Sequence, residues 1–334
     1  MSSVPEVVAV TGAGAGLGRA IVQAFAKRGA HVGLIARGRE RLEDAQREVE
    51  QAGGRAVIAP ADVADAGAVD VAASLIEAEL GPIDVWVNDA MTTVFSPIIE
   101  MTPEEFKRVT EVTYLGYVHG TLAALKRMRP RDHGVIVQVG SALSYRSIPL
   151  QSAYCAAKHA IVGFTDSLRS ELIHDGSQVR VTVVHMPALN TPQFSWCKSR
   201  MPDKPQPVPP IFQPEVGAEA VYWAAHNTRR EVFVGWPTQQ AIWGQRFIPG
   251  LLDLYLAKAA WDGQMHDGPR DPETRIDLWE PVPGHVGAHG DFDDRSRNAP
   301  TELWLTTRLP WGAIAAAGVA GLAGLGLAAF KASR

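Results

Sequence analysis

The sequence predicts a doubly wound α/β fold, in which helices cover both faces of a parallel sheet. Through residue 235, short apolar runs rich in β-branched residues alternate with longer amphipathic stretches. The runs are almost continuously apolar, which is typical of strands buried on both faces. Helical stretches between successive strands indicate crossover connections, and crossovers pair strands in parallel.

Local patterns place seven strands and five of the helices. The strand runs read EVVAVTG, HVGLIA, RAVIAP, IDVWVN, GVIVQVG, QVRVTVVH and EVFVG. The helical stretches cover 17–28, 38–52, 65–80, 103–128 and 152–174. Thr102 stands before Pro103 and two acidic residues, an arrangement typical of a capped helix start.

Composition narrows the classes of function. The 334-residue chain carries a net charge of −4, so we expect no nucleic-acid partner, which a basic stripe would indicate. Cys155 and Cys197 lack metal-ligand spacing, and His285 and His289 are expected in a solvated loop, so we predict no metal site. The opening MSSVPEVVAV has no basic segment of the kind that begins a secretory signal. We therefore expect a cytoplasmic catalytic domain with reduced thiols.

The C-terminal third changes character after residue 235. Residues 236–308 are rich in Pro, Trp, Gly and Asp, and predict one helix near 239–260 that Pro249 interrupts. The rest reads as an extended polar connector, and a lid, a spacer and a disordered linker all remain open.

A long apolar run follows this connector. From Trp311 to Phe330 there is no charged residue, which predicts a membrane anchor over 309–331. Its Ala and Gly content makes insertion marginal, and a flexible or docked tail is the alternative. Basic residues at both ends leave the orientation open.

The stretch TGAGAGLG at 11–18 joins the first strand to the first helix, where a pyrophosphate meets a helix N-terminus. The spacing G-x-G-x-x-G fails in both registers, because Leu17 or Arg19 would replace the third glycine. The spacing T-G-x-x-x-G-x-G matches Thr11, Gly12, Gly16 and Gly18. Gly14 is then a filler, and the turn predicts a dinucleotide site.

Cofactor choice is predicted at the end of the second strand. Arg37 stands where an acid would bind a ribose hydroxyl, which favours NADP over NAD while NAD stays possible. Arg39 and Arg41 are expected on the exposed start of the following helix. After the third strand, Asp62 and Val63 are placed to meet the adenine, with an acidic helix cap as the alternative for Asp62.

Three downstream residues form the strongest catalytic pattern. Tyr154 and Lys158 in YCAAK are four residues apart and so project from one helix face. A neighbouring ammonium stabilises a phenolate, which makes the tyrosine a proton donor and acceptor for a carbonyl/alcohol pair. Ser141 ends the preceding strand, from which its hydroxyl can bond the reacting oxygen as charge develops.

Taken in order, the glycine turn, the Asp-Val pair, VNDA, Ser141 and the Tyr154–Lys158 pair resemble the short-chain dehydrogenase/reductase family over about residues 5–235. The resemblance implies a seven-stranded Rossmann-type sheet of order 3-2-1-4-5-6-7, NAD(P)-dependent oxidoreduction and a homo-oligomer, either a dimer or a tetramer. It makes Tyr154 the acid/base, Lys158 the group that binds nicotinamide ribose and lowers the tyrosine pKa, and Ser141 the substrate-orienting residue. Further cofactor contacts would come from Leu17, Asn88, Ala90, Pro187 and Thr191.

Three departures from the family pattern bear on whether the predicted site can catalyse the reaction. Asn-Asn-Ala-Gly becomes Asn88-Asp89-Ala90-Met91, and Pro-Gly becomes Pro187-Ala188. Thr113 stands where many members have an asparagine that supports a proton relay, so we predict it in the catalytic set. The resemblance therefore implies a competent but altered site.

The family builds its substrate loop at 189–214, in a domain predicted over 1–235. Phe194, Trp196 and Phe212 offer apolar walls there. We expect an NADP(H)-dependent oxidoreductase acting on an apolar carbonyl or secondary alcohol. A membrane-tethered nucleotide-binding scaffold or sensor with weak catalysis, and an epimerase or dehydratase, remain alternatives.

Overall fold

The computed structural model describes residues 5–271, 273–298 and 300–308. Seven parallel strands form its main sheet in the order β3-β2-β1-β4-β5-β6-β7, which confirms the predicted fold and order. The strands are β1 Val7–Thr11, β2 His31–Ala36, β3 Ala56–Pro60, β4 Val85–Asn88, β5 Val135–Ser141, β6 Arg180–Met186 and β7 Glu231–Phe233.

Helices cover both faces of the sheet. They are α1 Gly16–Ala26, α2 Arg39–Gln51, α3 Ala66–Leu80, α4 Pro103–Thr110, α5 Gly116–Met128, α6 Ser152–His174, α7 Pro214–His226, α8 Trp236–Phe247, α9 Pro249–Gly263 and α10 Pro300–Arg308. Side chains of α1, α2 and α7 enter one core, and those of α3, α5 and α6 enter the other. The predicted helix over 103–128 is divided by one π-helical turn, Glu111–Leu115.

Strand β1 shows why the strand sequences are almost continuously apolar. Val8 and Val10 enter the core beneath α1 and α2, whereas Val7 and Ala9 enter the opposite core. Successive side chains of a strand point to opposite faces, so a sheet covered on both sides needs an apolar residue at nearly every position.

The carboxyl ends of the strands open into one cleft. The chain turns from β1 toward β2 on one side, while β4 lies on the other side of β1. Such a reversal of strand order leaves a crevice at the carboxyl edge of the sheet. A cavity of about 430 Å³ occupies this place.

The described residues beyond β7 pack against the sheet domain, whereas the sequence indicated an extended connector outside the helix predicted near 239–260. The interrupted helix is present as α8 and α9. Two short pairings follow, Met265–Pro269 with Asp203–Pro205 and Ser296–Arg297 with Ile211–Phe212. These contacts join residues far apart in the sequence, which local patterns do not report. The division of the chain at residue 235 stays a prediction.

Residues 276–293, here named the strap, cross the mouth of the cleft. Leu278 is fully buried among Val94, Val109 and Ala153. Near the other end, the Phe292 backbone N–H donates to the side-chain oxygen of Asn190 at 3.1 Å. Both ends of the strap are thus anchored to the domain.

The predicted anchor at 309–331 lies outside the described residues. Within the described part of the chain, no helix combines the length and the apolar character needed to cross a membrane.

Loss of the Leu278 side chain should loosen the strap. Leu278→Ala removes a fully buried side chain, a change that costs about 2–5 kcal/mol where the site cannot collapse. Since 1.4 kcal/mol is a factor of ten, trypsin cleavage at Arg275 and Arg295 should accelerate by roughly tenfold or more. Leu251→Ala on exposed α9 is the matched control. Equal cleavage rates in the two variants would show that Leu278 does not anchor the strap.

Candidate active site

The turn between β1 and α1 requires glycine at three positions. Gly12 and Gly16 have φ of +76° and +57°, which side chains rarely adopt. A Cβ on Gly18 would lie 2.2 Å from the backbone oxygen of Gly12. These three positions are the glycines of the predicted spacing T-G-x-x-x-G-x-G. Gly14 also lines the cleft, beside Arg41.

Two predicted cofactor residues shape the cleft from behind. The Thr11 hydroxyl accepts from the backbone N–H groups of Asp89 and Ala90, at 3.0 and 3.2 Å. Asn88 is fully buried, accepting from Trp86 Nε1 at 2.8 Å and donating to Gln138 at 2.9 Å. The side chain of Asn88 therefore joins β4 to β5, and the contact of Asn88 with a cofactor stays a prediction.

Ser141 and Tyr154 meet in the cleft. Strand β5 ends at Ser141, and α6 brings Tyr154 beside it, so that the two hydroxyls lie together in the cleft. Burial raises the pKa of Tyr154 above its ordinary value, and the neighbouring Ser141 hydroxyl offsets part of that rise. The phenol is consequently protonated at neutral pH, the form that a general acid requires.

Lys158 is held one layer deeper. Its ammonium donates to the Tyr117 hydroxyl at 2.9 Å and to the Val139 backbone oxygen at 2.7 Å. It lies 5.6 Å from the ring centre of Tyr154. Burial lowers the pKa of Lys158 to about 7, against the opposing effect of Asp89. Because an ammonium has three donors, one remains for a ligand in the cleft.

Thr113 does not contact the cleft with its side chain. Thr113 lies in the π-helical turn. Its hydroxyl donates to the Thr92 backbone oxygen at 2.8 Å and accepts from the Thr92 N–H at 3.0 Å. The predicted catalytic role of this hydroxyl is therefore not supported. Tyr117, one helical turn further on, reaches Lys158 instead. Tyr117 stands four residues after Thr113 in the sequence, a spacing that places two helical residues on one face. This spacing was the available sign that Tyr117 faces the site.

The altered segment after β4 is tolerated. Among the described non-glycine residues, only Asp132 and Leu150 have positive φ, so Met91 and Ala188 need no glycine-like backbone. The carboxylate of Asp89 accepts from the Gly18 N–H, and burial raises its pKa to about 7 while Lys158 lowers it. Asp89 thus connects the glycine turn to the lysine.

Two arginines line the adenosine end of the cleft, the end at which the sequence predicts the adenosine of a cofactor. The guanidinium of Arg37 donates to the backbone oxygens of Trp279 and Asp277, at 3.0 and 2.5 Å. Arg41 donates from Nε to the Gly284 oxygen at 3.2 Å, while its Nη2 is buried without a hydrogen-bond partner. The expectation that Arg41 is exposed is wrong, because the strap covers it.

Asp62 and Val63 also line this end of the cleft. Asp62 pairs with Arg108 at 2.5 Å and accepts from the Ala64 N–H. Burial raises the pKa of Asp62, but these two hydrogen bonds hold it below its ordinary value. The cap of α3 is Asp65, so the capping alternative for Asp62 is wrong.

The predicted aromatic walls separate in the structure. Phe194 lines the cleft and packs against Phe95 and Phe292, at ring distances of 6.1 and 5.8 Å. The ring of Trp196 lies 4.4 Å from the guanidinium of Arg41. Phe212 is buried in the main core and does not line the cleft.

Most predicted site residues converge on this one cleft. Its lining includes Gly12, Gly16, Leu17, Arg37, Asp62, Val63, Ala90, Ser141, Tyr154, Lys158, Pro187, Thr191, Phe194 and Trp196. The predicted residues outside the lining are Thr11, Gly18, Asn88, Thr113 and Phe212. A close-approach glycine turn after β1 and an unpartnered guanidinium N–H in the first turn of α2 fit a phosphate-bearing dinucleotide.

Comparison with known proteins agrees with this geometry. Residues 6–199 match the family described as short chain dehydrogenase. An uncharacterized oxidoreductase, YxnA of Bacillus subtilis, is 30% identical over 82% of this chain and 78% of its own. A fatty acyl-CoA reductase of Acinetobacter baylyi is 31% identical over 66% of this chain and 72% of its own.

Solved structures give the same result. An alcohol dehydrogenase from the archaeon Thermococcus sibiricus, complexed with 5-hydroxy-NADP, has a TM-score of 0.60 at 27% identity and covers 69% of this chain and 95% of its own. A variant of actinorhodin polyketide ketoreductase with NADPH has a TM-score of 0.62 at 27% identity, over 70% and 97%.

The matched family, the oxidoreductase relatives and the shared sheet order lead to one conclusion. This chain belongs to the short-chain dehydrogenase/reductase family and is an NAD(P)-dependent dehydrogenase/reductase.

Proposed function

We propose that the protein is an NADP(H)-dependent oxidoreductase that transfers a hydride between nicotinamide and an apolar carbonyl compound or secondary alcohol. The observation that carries the proposal is the meeting of the Ser141 and Tyr154 hydroxyls in a cleft that also holds Lys158. A carbonyl oxygen placed between the two hydroxyls would receive two hydrogen bonds as its charge develops.

In the reductive direction Tyr154 donates a proton to this oxygen, and Ser141 stabilises the oxygen by hydrogen bonding. A bound reduced nicotinamide would supply a hydride to the carbonyl carbon, so that one hydride and one proton would convert the carbonyl to an alcohol. The ammonium of Lys158, 5.6 Å from the ring centre of Tyr154, would supply positive charge near the phenolate left on Tyr154. Oxidation of the alcohol is the reverse of these steps.

The cofactor proposal rests on the adenosine end of the cleft. Strand β2 ends in Ala36, with no acid to accept from a ribose hydroxyl, and Arg37 follows. Arg41 offers a buried guanidinium N–H that has no partner in the protein. A 2′-phosphate would satisfy that donor. Two solved relatives, described as holding 5-hydroxy-NADP and NADPH, support the same choice.

The substrate proposal rests on the lining near the catalytic hydroxyls. That lining is mainly apolar and includes Leu143, Ile148, Phe194, Val208, Pro209 and Pro210. Such walls bury an acyl or ring system and leave orientation to a few polar groups. The relative named a fatty acyl-CoA reductase supports an apolar acyl chain as substrate.

Purified protein should oxidise NADPH with hydrophobic ketones or aldehydes and react poorly with polar sugars. Tyr154→Phe should abolish turnover, by about 10²-fold or more, because it removes the proton donor. NADPH binding should be retained, as measured by nucleotide fluorescence. Turnover retained by the variant would show that Tyr154 is not the proton donor. Activity with sugars alone would refute the apolar substrate. A product formed without net change of the cofactor would favour epimerisation or dehydration.

Tyr117 should position Lys158 during the reaction. Tyr117→Phe removes one acceptor of the buried ammonium, so the pKa of Lys158 should fall by about one unit. As the pH rises, the variant's ammonium would lose its proton earlier than that of the wild type. The basic limb of the kcat profile should therefore move to lower pH by about the same amount. The control is Tyr114→Phe on the same helical segment, whose ring contacts Phe164. A uniform loss of activity without a shifted limb would contradict the positioning role.

Assembly and membrane attachment complete the proposal. We propose a homo-oligomer. A groove between α5 and α6 supports this proposal, because it is lined by Phe164 and by the exposed side chain of Leu122. We also propose attachment of a cytoplasmic catalytic domain through residues 309–331, from the uncharged run alone. The full chain should sediment with membranes, and a chain ending at residue 308 should not. Equal partition of the two chains would reject the anchor, and a monomeric mass by light scattering would reject the oligomer.

A further inference from the structure

The strap brings a carboxylate to the adenosine end of the cleft. Asp277 Oδ2 lies 3.9 Å from Arg37 Nη2, and its side chain is 18% exposed. The backbone oxygen of the same residue accepts from Arg37 at 2.5 Å. Asp277 and Arg37 both line the cleft, although 240 residues separate them in the sequence.

The carboxylate is surrounded by positive charge. Arg37, Arg41 and Arg108 each act on Asp277 electrostatically. Arg108 is already paired with Asp62, whereas Arg41 keeps a buried N–H without a partner. Asp277 is therefore the strap's counter-charge to the arginines expected to bind a 2′-phosphate.

The position of Asp277 is fixed by the strap backbone. Its N–H donates to the Trp196 oxygen at 3.1 Å. The next residue, Leu278, is fully buried and accepts from Arg108 Nε at 2.9 Å. The carboxylate stays near Arg37 unless these contacts break.

Two opposed determinants of cofactor choice thus lie together. An acid at this place accepts from the ribose 2′-hydroxyl of NAD, whereas an arginine pairs with the 2′-phosphate of NADP. In this chain the arginines come from the end of β2 and the start of α2, and the acid comes from the strap.

We propose that Asp277 is a specificity-determining residue that sets the balance between NADP(H) and NAD(H). Its charge opposes a 2′-phosphate and offers an acceptor to a 2′-hydroxyl, so the preference for NADP(H) is weaker than the arginines alone would give. This inference rests on the proposed cofactor site and adds a determinant from outside the dinucleotide-binding turns.

The test is direct binding to the full chain, with no substrate. Asp277→Asn keeps the size of the side chain and removes its charge. NADPH should bind about tenfold more tightly, since a like charge near the phosphate is lost, and NADH should bind no more tightly than to the wild type. The affinity for 2′,5′-ADP should rise by the same factor relative to the affinity for 5′-AMP, as measured by calorimetry.

Asp291→Asn is the matched control, because it makes the same change at an exposed position of the strap. Asp277→Ser is a second neutral variant in case the amide disturbs folding. An unchanged NADPH/NADH ratio in both neutral variants, or an equal change in Asp291→Asn, overturns the inference alone. Wild-type protein that binds neither nucleotide overturns the proposed function, and the inference with it.

Discussion

The site depends on the burial of one ammonium group. Lys158 is 2% exposed, and a buried cation destabilises a fold unless its donors are satisfied. The Tyr117 hydroxyl and the Val139 backbone oxygen accept from it, and the carboxylate of Asp89 lies near enough to raise its pKa. Those partners come from α5, β5 and the end of β4, and Lys158 itself comes from α6. Four elements of the fold must therefore meet correctly before the lysine can be charged.

The same requirement connects catalysis to the glycine turn. Asp89 accepts from the N–H of Gly18, and its backbone is held by the hydroxyl of Thr11. The carboxylate that supports Lys158 is therefore positioned by the segment that would approach the cofactor phosphates. An aspartate in place of the family's asparagine is thus part of the charge balance of this site.

Local sequence patterns predicted what local physics determines. The apolar runs identified the strands, steric need identified Gly12 and Gly18, and the i, i+4 spacing identified Tyr154 with Lys158. They failed where a distant segment decides the outcome. The hydroxyl of Thr113 turns to Thr92, and Arg41 is covered by residues more than 230 positions away, a pairing that no periodicity in the sequence reports.

The strap gives the two ends of the cleft a shared support. Its Gly287 oxygen accepts from the N–H of Gly16 in the phosphate-binding turn, while its Phe292 ring packs on Phe194 of the substrate loop. Trp196 of that loop accepts from the strap backbone and stacks on Arg41. A movement of the strap therefore changes donors at the cofactor end and walls at the substrate end together. The strap thus holds residues of both ends of the cleft in one arrangement.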